Sequence, residues 1–230
     1  FEEALPLVSD FTSPRAWAFT LIGIHHYLKR LSGDRRAGQI RDLLVDKLLH
    51  RYEAAAADDW RWYENTVTYA NAKLPHALVV TAGDTGDDRA MKIGLESLSW
   101  LVELQTSPTG NFQPIGTNGF YSKGKERATF DQQPIEAQAT VSACNEAYAA
   151  TGDKRWIIEA ERAFEWFLGR NDLGLSLYDP GTGGCRDGLH IDRVSQNQGA
   201  ESTLAFLLAL TEMQKHQSHV QTFRKTSHDE

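Results

Sequence analysis

The chain has few cysteines, no long apolar run and no excess of basic charge. Only Cys144 and Cys185 occur in 230 residues, and no CxxC or Cys/His ligand spacing accompanies them. That leaves no zinc-type signature and no metal or cofactor expectation, and it favours a reducing, cytosolic compartment. Lys and Arg number 24 against 31 Asp and Glu, a formal net charge of −7, which argues against a general binder of nucleic acid or anionic membrane. No stretch of about 18 uninterrupted apolar residues exists and no signal peptide opens the sequence, so no membrane span is expected. Nor is there an alternating strand pattern longer than a few residues. What is present suits a folded domain with a sizeable core, since 41% of the residues are hydrophobic. The first residue is Phe rather than Met, as expected of a fragment or a processed product.

One turn recurs. It reads Ser32-Gly33-Asp34-Arg35-Arg36, Gly86-Asp87-Asp88-Arg89 and Thr151-Gly152-Asp153-Lys154-Arg155. Each copy follows an apolar helical run and opens another, so Gly closes one helix and Asp caps the next. Spaced roughly 50 to 65 residues apart, the copies mark helical hairpins that stack side by side. Helical periodicity predicts seven helices: Pro14 to Leu31 with Ser13 as N-cap, Asp34 to Ala56, Pro75 to Gly83, Asp87 to Gln105, Pro134 to Thr151, Asp153 to Leu168, and Gly199 to Met213. The last, with Leu204, Phe206, Leu207, Leu208 and Leu210, reads as deeply buried. The predicted class is all-α, with the domain over 1–214 and a frayed tail over 215–230.

Odd-numbered helices are apolar or Ala-rich and follow long loops, whereas even-numbered ones are more charged and follow the tight turns. An inner and an outer layer result, with every long loop arriving at the rim where the inner helices begin. Segments Asp59 to Asn71, Asn111 to Glu136 and Tyr178 to Glu201 should therefore meet there, in an aromatic and acidic pocket. Aromatic faces stack on sugar rings, amides and Arg bond hydroxyls, and paired carboxylates act as acid and base at a glycosidic bond. Glu64 and Asp131 are the expected catalytic pair, where partial desolvation separates an acid from a base; Asp187 and His190 stand in reserve. Trp60, Trp62 and Tyr63 are the expected stacking platform. Asn71, Arg127, Gln132, Gln133, Arg193, Asn197, Gln198 and Glu201 are the expected substrate-binding polar groups.

Structural explanations compete for several of these residues. Glu136 and Glu201 sit in first helical turns, where the helix dipole favours a carboxylate regardless of function. Trp60 and Trp62 would equally plug the helical core. Asp34, Asp87 and Asp153 read as caps only, His25 and His26 as packed core histidines, and His190 equally as one half of a structural His–Asp contact.

The motifs Trp60-Arg61-Trp62-Tyr63-Glu64-Asn65, Tyr69-Ala70-Asn71-Ala72-Lys73-Leu74-Pro75, Phe130-Asp131-Gln132-Gln133-Pro134-Ile135-Glu136-Ala137 and Ser195 to Thr203, with the hairpin pattern, resemble the six-hairpin glycosidase-like, or α/α-toroid, superfamily. More narrowly, they resemble bacterial toroid domains found alone or joined to glycosyltransferases. The resemblance implies a partial α/α toroid of about three and a half hairpins and an oligosaccharide or sugar substrate. The leading expectation is glycoside hydrolase-like chemistry. The alternatives are a sugar isomerase or epimerase using His190, with His76 as a possible second base, and a non-catalytic glycan-binding or scaffold module serving a glycosyltransferase. An open arc also predicts that its ends, including Trp17, Leu21 and Ile24, are covered by N-terminal hairpins, by each other, or by a second copy of the chain.

Overall fold

The computed structural model describes the backbone of residues 3–226 and the side chains of residues 3–215. A 3-10 helix, Leu5–Asp10, precedes α1 (Pro14–Leu28), α2 (Arg35–Ala55), α3 (Lys73–Thr85), α4 (Asp88–Leu104), α5 (Pro134–Thr151), α6 (Arg155–Glu165) and α7 (Ala200–Thr226). Two two-residue ribbons pin the long loops: β1 (Thr66–Val67) pairs antiparallel with β2 (Tyr121–Ser122), and β3 (Tyr178–Asp179) with β4 (Gly184–Cys185).

The turn chemistry follows the sequence at two of three repeats. Gly86 and Gly152 close α3 and α5 in the left-handed region, at φ 73° and 69°, where a Cβ would be strained. Asp34 accepts from the backbone N–H of Arg36 and Ala37, and Asp87 from that of Ala90 at 3.0 Å, each satisfying an otherwise unpaired first-turn donor. Asp153 does the same for Arg155 at 3.0 Å. The first copy differs, because α1 stops at Leu28 and Gly33 is not its cap. Ser13 makes no side-chain cap bond, so Pro14, with φ preset for the first helical position, starts α1 alone.

The hairpin pairs α1–α2, α3–α4 and α5–α6 pack internally, and α1–α3, α3–α5 and α5–α7 pack side by side. That is an arc with α1, α3, α5 and α7 inside. Residues 73–82 of α3 are all buried, as are Ala137 to Cys144 of α5, whereas the outer helices keep solvated faces. The close approach of α3 and α4 uses Gly94, whose missing Cβ would lie 2.9 Å from a Val79 methyl.

The two ends of the arc depart from expectation in opposite ways. Trp17, Leu21 and Ile24 of α1 are buried, because α2 and α3 flank them and the 3-10 helix packs on α1 and α2. On α7, Ala205, Phe206, Ala209 and Met213 are buried, but Leu204, Leu207 and Leu208 are exposed at 56%, 43% and 53%. Their face of α7 has no neighbouring helix among the described residues, since α5 and α6 meet the other side. The α7 backbone continues through most of the expected tail; residues 227–230 lie outside the described residues.

Candidate functional site

The three long loops do meet at the N-terminal rim of the inner helices. The β1–β2 ribbon joins the first loop to the second. Gln132 and Leu189 exchange backbone hydrogen bonds at 2.9 Å, joining the second to the third. Tyr69 joins the first loop to α7 by donating its hydroxyl to Glu201 at 3.2 Å. Close backbone contacts make this possible: a Cβ on Gly116 would lie 2.1 Å from the Phe130 carbonyl oxygen, and one on Gly188 2.8 Å from that of Gln132.

Asp131 and His190, 59 positions apart, are brought together here. Asp131 Oδ1 lies 2.7 Å from His190 Nδ1, and both side chains are part-exposed, at 43% and 31%. Glu64, on the first loop, is ion-paired: Arg15 Nη1 sits 2.5 Å from its carboxylate. The same guanidinium donates to the Tyr69 carbonyl and, at 3.2 Å, to Asn71 Oδ1. Beneath them Glu136 is fully buried and accepts from the N–H of Ala70 at 2.5 Å, the N–H of Asn71 at 3.2 Å and Asn71 Nδ2 at 2.9 Å. Burial raises the Glu136 pKa, and those donated hydrogen bonds oppose the rise.

The expected stacking platform is not one. Trp60, Trp62 and Tyr63 are 2%, 0% and 0% exposed. They pack on Trp100, Tyr121 and Tyr52, and the Tyr63 hydroxyl lies 2.8 Å from Ser97 Oγ. They plug the gap between α2 and α4, leaving no face for a sugar.

Several expected polar contacts are likewise spent inside the protein. Asn71 is buried between Thr68, Arg15 and Glu136. Gln132 is buried with its amide on Thr129 and Asp172 and its carbonyl on Trp166. Arg127 is held by the Leu104 carbonyl and by Gln113. Asp187 accepts from the Gly199 N–H at 2.6 Å and so fixes the start of α7. Gln198 bridges Thr182 and Asp179. Gln133 is partly buried just before α5, Arg193 is exposed and paired with Asp192, and Asn197 and Glu201 are exposed. His76 does not reach the rim: it is 6% exposed, and burial holds its pKa well below the usual imidazole value. The isomerase reading thereby loses its second base.

Arg15 was not singled out from the sequence, although a signal existed. A cation in a first turn opposes the helix dipole, and α1 carries no acid there to offset it; such a residue implies a nearby carboxylate. Asp172, which accepts from Gln113 at 2.9 Å and Gln132 at 2.5 Å, had no such signal. A cavity of about 640 Å³ between the 3-10 helix and α2, lined by Phe11, Trp17, Leu43 and Lys47, contains none of the candidate residues.

No protein-family model and no curated protein matches the sequence. Solved structures do. The chain is similar to the GH76A α-1,6-mannanase of Salegentibacter sp. HEL1_6, with TM-score 0.64 and 11% identity over 90% of this chain and 56% of that one. It is also similar to a glycoside hydrolase family 76 mannosidase of Bacteroides thetaiotaomicron VPI-5482, with TM-score 0.62 and 14% identity over 86% and 53%. The fold is a partial α/α toroid. The toroid chain spans a little over half the length of each of these enzymes. Among its described residues no helix is long and apolar enough to cross a membrane.

Proposed function

We propose that this partial toroid is a carbohydrate-active domain that processes a glycosidic bond in glycosidase fashion. The observation carrying the reading is the Asp131–His190 pair, 2.7 Å apart and part-exposed where three loops converge on the inner-helix rim. Asp131 serves as one acid/base carboxylate, its orientation held by His190, and Glu64, backed by Arg15, serves as the second. The two similar structures carry the names mannanase and mannosidase, which makes mannosides the first substrates to try.

The test is release of reducing ends from α-1,6-mannan, mannosides and glucosides. Turnover should fall by about 10²-fold or more in Asp131→Asn while glycan binding survives. Monosaccharide interconversion seen by NMR, with no reducing end released, would instead favour the isomerase reading. Binding that is indifferent to Asp131→Asn, with no turnover anywhere, would favour a glycan-binding module.

A further inference from the structure

The aromatics expected to stack on sugar are buried, which raises the question of what replaces them. Among the aromatic residues of the three rim loops, Tyr69 is the exposed one, at 37%; Phe112 is buried and Phe120, Tyr121, Phe130 and Tyr178 are intermediate. Tyr69 is also held in place from three sides. Its hydroxyl donates to Glu201, its carbonyl accepts from Arg15, and the N–H of the following residue, Ala70, donates to buried Glu136 at 2.5 Å. Ala70 itself adopts φ +46°. A residue with a Cβ holds that left-handed conformation at a cost, and only where surrounding contacts dictate it.

We infer that Tyr69 is the sugar-stacking residue of this rim, and that Arg15 and Glu136 are positioning residues that hold the turn presenting it. The inference rests on the carbohydrate reading and names the binding element within it. An aromatic already fixed in one orientation loses little freedom when a ring settles on its face. Glu201 at the Tyr69 hydroxyl, and Glu64 joined to the Tyr69 backbone through Arg15, each bond a neighbour through one carboxylate oxygen, and the other oxygen can accept from a sugar hydroxyl. Glu64 is neutralised by Arg15, and the Glu201 carboxylate, which accepts from the Tyr69 hydroxyl, repels anionic ligands. The favoured ligand class is therefore neutral sugars, not uronates or sugar phosphates.

Calorimetry on the intact chain with neutral tetraoses (α-1,6-manno-, cello- and malto-), and with trigalacturonate as the acidic probe, tests this. Tyr69→Phe keeps the face and should bind within about threefold of wild type, whereas Tyr69→Ala should weaken binding about tenfold. Tyr69→Leu, which keeps the apolar volume but not the flat face, should behave like the Ala variant, and it serves if the Ala variant unfolds. Arg15→Lys keeps the charge beside Glu64 but not a planar group that reaches three acceptors, so it should lose affinity with an unchanged melting temperature. Tetraose binding by wild type that persists in both Tyr69→Ala and Tyr69→Leu would overturn the assignment of Tyr69 alone. Full affinity in Arg15→Lys would overturn the positioning role. Tighter binding of trigalacturonate than of any tetraose would overturn the neutral-sugar class. If wild type binds no glycan, the carbohydrate reading falls first and this inference with it.

Discussion

Glu136, on the second residue after Pro134 in α5, holds Asn71 of the first rim loop through both its backbone N–H (3.2 Å) and its side-chain amide (2.9 Å). The carboxylate thus ties the first rim loop to the inner helix α5, from a position with 2% exposure.

Removing that carboxylate should be felt as lost stability. In Glu136→Ala the donors of Ala70 and Asn71 are left buried without an acceptor, at about 1–3 kcal/mol for each unsatisfied group, so a loss of at least about 2 kcal/mol is expected. Urea unfolding of the variant measures it. A change within about 0.5 kcal/mol, as at an ordinary surface site, would show that the clasp contributes nothing.

Gly116→Ala should damage the site through the backbone. Its new Cβ would sit 2.1 Å from the Phe130 carbonyl oxygen, and the adjoining loop segments carry Asp131 through the bond from the Thr117 N–H to the Asp131 carbonyl at 2.9 Å. Relief requires the two loop segments to part, costing about 1–3 kcal/mol and displacing Asp131. Melting temperature and glycan turnover should both drop. An unperturbed variant would mean that the second loop has slack here.

Acid should destabilise the inner layer through His76. His76 is neutral in the folded chain because burial, Lys73 from α3, and His25 and His26 from α1 all disfavour its charged form; His25 in turn contacts Asp84 at 2.5 Å. The unfolded chain takes up this proton near pH 6.5 and the folded chain does not, so stability falls as pH drops below about 6.5. Glu136 has the opposite sign: its raised pKa favours folding in acid and that benefit is lost as pH rises past the folded value. Urea midpoints between about pH 5 and pH 7 should therefore decline toward acid, and His76→Gln should flatten part of the slope, which is at most about 1.4 kcal/mol per pH unit for one group. Equal slopes in the two proteins would rule out His76 as the source.

The sequence alone determined the helices, their pairing and the meeting of the loops. Those properties are carried by local signals: the Gly-Asp turns, Pro14 and Pro134 at first helical positions, and apolar repeats near 3.6 residues. It placed Asp131 and His190 in rim loops, but their contact depends on backbone pairing across 59 positions that no local pattern records. Tertiary structure alone decided which aromatics face solvent. Trp60, Trp62 and Tyr69 share one loop and similar chemistry, yet Trp100 and Tyr121 close over the first two while an Arg15–Glu136 clasp turns the third outward. It also decided that Leu204, Leu207 and Leu208 lie open on α7, because burial of an apolar helix face depends on which neighbours exist, and an amphipathic pattern specifies a face without specifying its partner.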